Sequence, residues 1–157
     1  MNKKIIASIQ DTNLSKYVVS VDVSDVAITP NDKMGTSGTR LKATEFDRKN
    51  FLLKETQAVC RYWLEMDEAS RQKGHNRIII GGDPRNGNPE RIKEVARIVA
   101  ANGFEVIVAD NKGLATPPAM SAAIMKHEAL GAIILTASHN PAEDVGLKVN
   151  QPFFRGA

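Results

Sequence analysis

The chain has 157 residues, 42% hydrophobic and 25% charged, proportions that exclude a disordered tail and allow one domain-sized core, with about 70% of the unfolded surface becoming buried. Its 21 basic and 18 acidic residues leave a net charge of +3 spread along the sequence; without a basic stripe interleaved with aromatics, no nucleic acid partner is expected. No run approaches the roughly 18 apolar residues that span a bilayer and no signal peptide is read, so no membrane association is expected, and the lone cysteine, Cys60, excludes a disulfide framework and makes a reduced, cytoplasmic compartment the expectation.

Tyr17, Val18, Val19, Val21, Val23, Val26 and Ile28 form a β-branched, partly alternating run over residues 16–28 that reads as one strand or a hairpin. Residues 1–30 are set apart as an N-terminal extension and 31–157 as the domain proper. Pro30, Asn31 and Asp32 break the run and lead into Gly35-Thr36-Ser37-Gly38-Thr39-Arg40, a loop composition. From about 45 to 73, Leu52, Val59, Trp63 and Met66, with Leu53, Cys60 and Leu64 beside them, follow a helical period that Gly74 ends. On that face Phe51 and Trp63 read as core residues and Cys60 as a buried structural thiol.

Three short apolar runs follow, at Ile78-Ile79-Ile80, Val106-Ile107-Val108 and Ala132-Ile133-Ile134-Leu135, each suited to a strand covered on both faces. Helices fill the gaps between them. The first begins near Asn88-Pro89, presents Ile92, Val95, Ala96, Val99 and Ala100 on one face, and ends at Asn102-Gly103; the second starts from Thr116 as N-cap and Pro117, with Met120, Ala123 and Ile124 inward. Such alternation predicts an α/β fold, a three-layer α/β/α domain with a mixed, largely parallel sheet. Ligands of such sheets gather at the carboxyl ends of the strands, where the loops Gly81-Gly82-Asp83-Pro84-Arg85, Asp110-Asn111-Lys112-Gly113 and Thr136-Ala137-Ser138-His139-Asn140-Pro141 fall.

The last of these loops sets two hydroxyls, an imidazole and a carboxamide at a strand end. Two readings stand from composition alone: a reactive site, or a turn whose Ser138 and Asn140 only cap their own backbone. A serine hydrolase fits poorly, because Ser138 is not in a Gly-x-Ser-x-Gly elbow and its immediate neighbour His139 would point away on an extended chain. His75 and His127 lack the spacing of a zinc site.

Thr136 to Pro141 resembles the active loop of the α-D-phosphohexomutases, Thr-Ala-Ser-His-Asn-Pro. Residues 35–40 are similar to that family's Gly-Thr-Ser-Gly-x-Arg, residues 81–85 to its Gly-x-Asp-x-Arg, and Gly113 to Ala119 to a fourth segment, so the resemblance covers roughly residues 33–150 in the family's order. It implies the first domain, domain I, of an intramolecular phosphotransferase, of phosphoglucomutase or phosphomannomutase type with glucose as the expected hexose, that interconverts hexose 1-phosphate and hexose 6-phosphate through a phosphoserine and a bisphosphate.

The same resemblance implies the roles of individual residues. Ser138 would carry the phosphoryl and, through its phosphate, bind Mg²⁺; Lys148 would act as general acid and base; Arg40 would hold phosphate oxygens; His139 would support catalysis by orienting the loop, as Asn140 would while also binding substrate or phosphate together with Thr36 and Ser37. Glucose 1,6-bisphosphate is the implied activator and intermediate. Asp83 and Arg85 are expected to tie loops together and not to touch substrate. Two departures stand out: Val145 replaces the family's usual glycine or asparagine before Gly-x-Lys, and residues 151–157 lack its glycine run, so the chain after Lys148 is expected to take a different shape. A full member has four domains, and this sequence corresponds to the first. The 157 residues alone are therefore expected to be inactive, with the missing domains as partners if they lie on another chain. A non-catalytic sugar-phosphate-binding or interaction module derived from a truncated mutase is the alternative.

Overall fold

The computed structural model describes residues 38–66, 76–109 and 111–151. The strand or hairpin expected at 16–28, Gly74 at the helix end, and Phe153 and Phe154 lie outside the described residues. In chain order the elements are β1 (Thr39–Lys42), α1 (Ala43–Phe46), α2 (Phe51–Met66), β2 (Arg77–Gly82), α3 (Asn88–Ala101), β3 (Glu105–Val108), α4 (Pro117–Lys126), β4 (Gly131–Leu135) and β5 (Asp144–Asn150).

The five strands form one mixed sheet in the order β1-β5-β4-β2-β3. The three runs read as buried strands are its parallel centre: Ile79 lies beside Ile107 of β3 and Ala132 of β4. β5 and β1 add on antiparallel, Leu147 beside Leu135 and Val145 beside Leu41. Sequence reading assigned neither of these two strands. β1 reads as loop in sequence because it continues directly from a Gly-Ser-Thr-rich stretch, and β5 carries its alternation of Val145, Leu147 and Val149 around a glycine.

That alternation decides which side of the sheet each residue serves. Leu41, Val145, Leu147, Ile133, Leu135, Ile78 and Ile80 face one layer, where Val59, Cys60 and Trp63 of α2 and Ile92, Val95 and Val99 of α3 pack against them. Ile79, Ala132 and Ile134 face the other, covered by Met120 and Ile124 of α4. Three layers result, as the sequence predicts. Trp63 is fully buried and meets Phe104 edge to face at 6.3 Å, and burial pushes the Cys60 thiol up to about 12, so it is an inert core group at neutral pH.

The helix expected at 45–73 is interrupted. α1 ends at Phe46, the chain turns through Asp47–Asn50, and α2 starts at Phe51. Asn50 takes a left-handed φ of 64°, which asparagine tolerates better than most residues. Arg91 of α3 donates from Nε and Nη2 to the two carboxylate oxygens of Asp47, and from Nη1 to the Asn86 carbonyl at 2.8 Å. Phe46 and Phe51 close edge to face at 5.3 Å beneath this turn. A periodicity argument cannot see such a break, because Phe46 and Phe51 both remain on the apolar side.

At the carboxyl ends of β2 and β4 the two backbones nearly touch. A Cβ on Gly82 would stand 2.3 Å from the Leu135 carbonyl oxygen, closer than any real contact. By contrast, a Cβ on Gly103 would meet nothing within 4 Å, and only its φ of +86° opposes a side chain there. Gly82→Ala should therefore lower the stability to urea by more than ~3 kcal/mol, and Gly103→Ala by only ~1 kcal/mol, the cost of a left-handed alanine. Equal urea midpoints for the two variants would contradict this account of the strand ends.

Candidate functional site

Beyond β4 the chain enters Thr136 to Pro141 at the edge where the parallel strands end. Thr136 remains buried and Ser138 and His139 are exposed. Thr136 is anchored by its N–H to the Gly146 carbonyl at 2.9 Å, and its hydroxyl donates to Asp83 Oδ2 at 2.7 Å while accepting the Ser138 N–H at 3.0 Å. Ser138 has a left-handed φ of 57°. This conformation corrects one step of the sequence argument. In the left-handed turn Ser138 and His139 do not point apart, and Ser138 Oγ lies 3.2 Å from His139 Nδ1. With Nδ1 unprotonated the imidazole accepts the hydroxyl proton; with it protonated the ring donates to Oγ. Among the described residues no carboxylate hydrogen-bonds this ring, so the third member of a hydrolase-type relay is absent from them.

Arg85 holds the loop by its backbone. Nη2 donates to the carbonyls of Ser138 at 2.8 Å and Asn140 at 2.9 Å, and Nη1 to those of Pro141 and Asp144. Nε donates to Asp83 Oδ2 at 3.1 Å. The Asp83 carboxylate thereby collects Thr136, Arg85 and, on Oδ1, the Asn88 amide at 2.9 Å. Asp83 and Arg85 do tie the loops together. Their side chains, with Pro84, Asn86, Asn140 and Ala142, line an open depression of about 500 Å³.

Asn140 directs its amide back onto Asp144 Oδ2 at 3.0 Å. Asp144 also pairs with Lys42 of β1 at 2.8 Å. In this arrangement the Asn140 amide secures the loop to the start of β5. Lys42, Thr136, Asn88 and Asp144 were not singled out from sequence. Only Thr136 carried a signal there, as the first residue of the polar loop, because the others act across distant segments.

Arg40 pairs with Gly146 across β1 and β5, and Lys148 stands two residues further along β5, so both belong to the same face of this strand pair. α4 covers the corresponding face only at β2 and β4, with Asn150 Nδ2 of β5 reaching Ser121 Oγ at 3.0 Å. Arg40 is exposed and Lys148 half-buried, and among the described residues neither forms an ion pair. Gly38 makes this close packing possible: with φ +93°, a Cβ there would lie 2.1 Å from the Leu147 carbonyl oxygen and 2.9 Å from Lys148 Cα. Thr36 and Ser37 lie outside the described residues. The structure thus joins Ser138 to His139 and groups Arg40 with Lys148. Among the described residues, an exposed hydroxyl on a loop held by hydrogen bonds and two cations without an ion-pair partner suit a phosphate-sized anion.

After Lys148, β5 continues to Asn150, with Val145 buried in the core. Substituting valine for a small residue here therefore adds to the packing under the sheet. Among the described residues no helix is long and apolar enough to cross a membrane.

Residues 31–153 match the family described as phosphoglucomutase/phosphomannomutase, alpha/beta/alpha domain I. The chain is 38% identical over 138 residues to phosphoglucomutase-1 of Dictyostelium discoideum, covering 86% of this chain and 23% of that protein. It is 40% identical over 119 residues to the phosphoglucomutase of Schizosaccharomyces pombe, covering 74% and 20%. Among solved structures it is similar to the open form of the exocytosis-sensitive phosphoprotein parafusin, a phosphoglucomutase from Paramecium, with a TM-score of 0.65, 34% identity, and 78% of this chain against 22% of that one. The chain spans about a fifth of the length of these relatives.

The Lys42–Asp144–Asn140 tether has a defined pH window. The Lys42 ammonium and then the Asn140 amide hold the Asp144 carboxyl below its ordinary range, while Asp144 and then Glu143 raise Lys42. A lowered carboxyl stabilises the fold fully above about pH 4, where the unfolded group is ionised, and the contribution disappears as pH falls through the folded value; a raised ammonium contributes fully below about pH 10 and loses it as pH rises further. The stability difference between the natural chain and Asp144→Asn should be flat between about pH 5 and 9 and shrink below about pH 4. Urea midpoints across this range check it; a difference unchanged at acid pH would remove Asp144 ionisation from the account.

Proposed function

The chain belongs to the phosphoglucomutase/phosphomannomutase family through its α/β/α domain I, and from that premise we propose that it is the phosphoserine-bearing domain of an enzyme interconverting hexose 1-phosphate and hexose 6-phosphate, with glucose as the hexose. The observation that carries this reading is the left-handed, exposed Ser138, whose N–H is held by Thr136 and whose carbonyl is held by Arg85, beside a strand pair bearing Arg40 and Lys148. Names of relatives support the choice of glucose: the two curated proteins above are phosphoglucomutases.

In this reading Ser138 Oγ attacks the phosphorus of a hexose bisphosphate, its proton passes to a nearby base, and the bond from phosphorus to the sugar oxygen breaks. Lys148 supplies the proton that the departing sugar oxygen takes up. In the other half of the cycle the phosphoryl passes from Ser138 to the free hydroxyl of a hexose monophosphate, whose proton Lys148 accepts, while the Ser138 oxygen recovers its proton from the base that took it and the bisphosphate is formed again. Arg40 counters the charge spread over the phosphoryl oxygens, which is the main demand of such a transfer. His139, in contact with Ser138 Oγ, orients that oxygen, and Thr36, Ser37 and Asn140 complete the phosphate-binding set in the family pattern, with Asn140 acting through the loop.

Mg²⁺ would be held by an oxygen of the Ser138 phosphate, a hard ligand of the kind this ion prefers. Among the described residues no three His, Cys, Asp or Glu side chains converge, so this part of the molecule fits the ion with one ligand, and water or carboxylates from other domains supply the rest. When bound, the ion adds neutralising charge at the phosphoryl oxygens. Residues 31–157 form domain I and residues 1–30 an extension in this reading, and the setting is cytoplasmic. Net isomerisation then requires the further domains, whether on this polypeptide or another.

Incubation of the chain with glucose 1,6-bisphosphate and Mg²⁺ should place one phosphate on Ser138, located by peptide mass spectrometry, and none on the Ser138→Ala variant. The same 157 residues should show no appreciable isomerisation of glucose 1-phosphate. Phosphate on the Ser138→Ala variant, or brisk isomerisation by the chain alone, would overturn the assignment.

A further inference from the structure

We propose that Asp83 is a positioning residue for Ser138, acting through the Thr136 hydroxyl and the Arg85 guanidinium. The proposal deepens the phosphoserine reading and rests on it for its catalytic consequence. A serine held at φ 57° sits about 1 kcal/mol above its relaxed backbone and stays there only when its surroundings fix it.

Ser138 is gripped at both ends. Its N–H donates to Thr136 Oγ1 at 3.0 Å and its carbonyl accepts from Arg85 Nη2 at 2.8 Å. Both grips end on one atom, Asp83 Oδ2, which accepts the Thr136 hydroxyl at 2.7 Å and Arg85 Nε at 3.1 Å. A hydroxyl has one proton. Because Thr136 gives it to Asp83, a lone pair is left facing the Ser138 N–H; Asp83 thus sets the polarity of that bond. The second contact fixes the plane of the guanidinium and aims Nη2 at the Ser138 and Asn140 carbonyls.

Asp83 is itself immobilised. Its N–H donates to the Leu135 carbonyl at 3.0 Å, and Oδ1 accepts from Asn88 Nδ2 at 2.9 Å and from the Arg85 N–H at 3.3 Å. All four side-chain contacts to Asp83 come from donors. An asparagine at this position would turn its amide N–H groups toward donors in either orientation, so Asp83→Asn removes the polarity with almost no change in shape.

The test uses Asp83→Asn, Thr136→Val and Thr136→Ser, with two readouts: amide hydrogen exchange at Ser138 and in β4, and the rate of Ser138 phosphorylation across glucose 1,6-bisphosphate concentrations. Asp83→Asn and Thr136→Val should speed Ser138 exchange about tenfold while Ile133 and Ile134 stay within about twofold of the natural chain. Both should lower the maximal phosphorylation rate at least about tenfold, with the half-saturating concentration within about threefold. Thr136→Ser, which keeps the hydroxyl, should restore both readouts. The proposal is overturned if Ser138 exchange is unchanged in both variants, if Ile133 and Ile134 lose protection as much as Ser138, or if the maximal rate holds. Failure of the natural chain to take up phosphate would instead count against the hexose bisphosphate reading, and exchange alone would then decide whether Asp83 positions Ser138.

Discussion

The contact between the ends of β2 and β4 governs the polar edge of the sheet. Gly82 has no side chain, so the strand backbones close until the Leu135 carbonyl accepts both the Asp83 N–H and the Asn88 amide, at 3.0 and 3.2 Å. Asp83 is then fixed within reach of Thr136, the residue that follows Leu135 at the neighbouring strand's exit. Apolar layers on both sides of the sheet hold these ends in register, so burial of isoleucines far from any ligand is what makes a rigid loop possible. A carboxylate accepting four donors is well compensated for its partial loss of water, which explains how such a charge can sit inside the join between two strands.

The sequence made the parallel centre legible because three β-branched runs separated by capped helices admit few other arrangements. Thr116 caps α4 as expected, its hydroxyl accepting the Ala119 N–H. β1 and β5 were not legible for a physical reason: an antiparallel strand can rest on only two or three alternating apolar residues, and in both strands these sit beside glycines whose role is close approach. The break at Asp47–Asn50 was hidden for a related reason, since it depends on Arg91, more than forty residues away.

The site divides in the same manner. Ser138, Arg40 and Lys148 were candidates only through motifs, because none of them taken alone points to a site. What the motifs did not convey is the division of labour between arginines. Arg85 lies in a motif as plainly as Arg40 does, yet its guanidinium donates to carbonyls of Ser138, Asn140, Pro141 and Asp144 and to Asp83. Side-chain partners, not residue type, separate the two.

This division has an electrostatic consequence. A phosphate on Ser138 would bring close to two negative charges to an exposed loop whose carbonyl oxygens also point their negative ends inward. Arg85 offsets those carbonyls from behind, with all five of its guanidinium N–H groups engaged and none left to turn outward. Lys42 is likewise committed, to Asp144 and Glu143. The cations that the neighbouring strand pair offers to a dianion are Arg40 and Lys148, carried by β1 and β5. Pairing fixes the backbone of those strands, so only the Arg40 and Lys148 side chains can adjust to a phosphate. In the proposed transfer, a loop pinned at both ends of Ser138 would keep the phosphoryl-bearing oxygen in place while the Arg40 and Lys148 side chains meet it from the neighbouring strand pair.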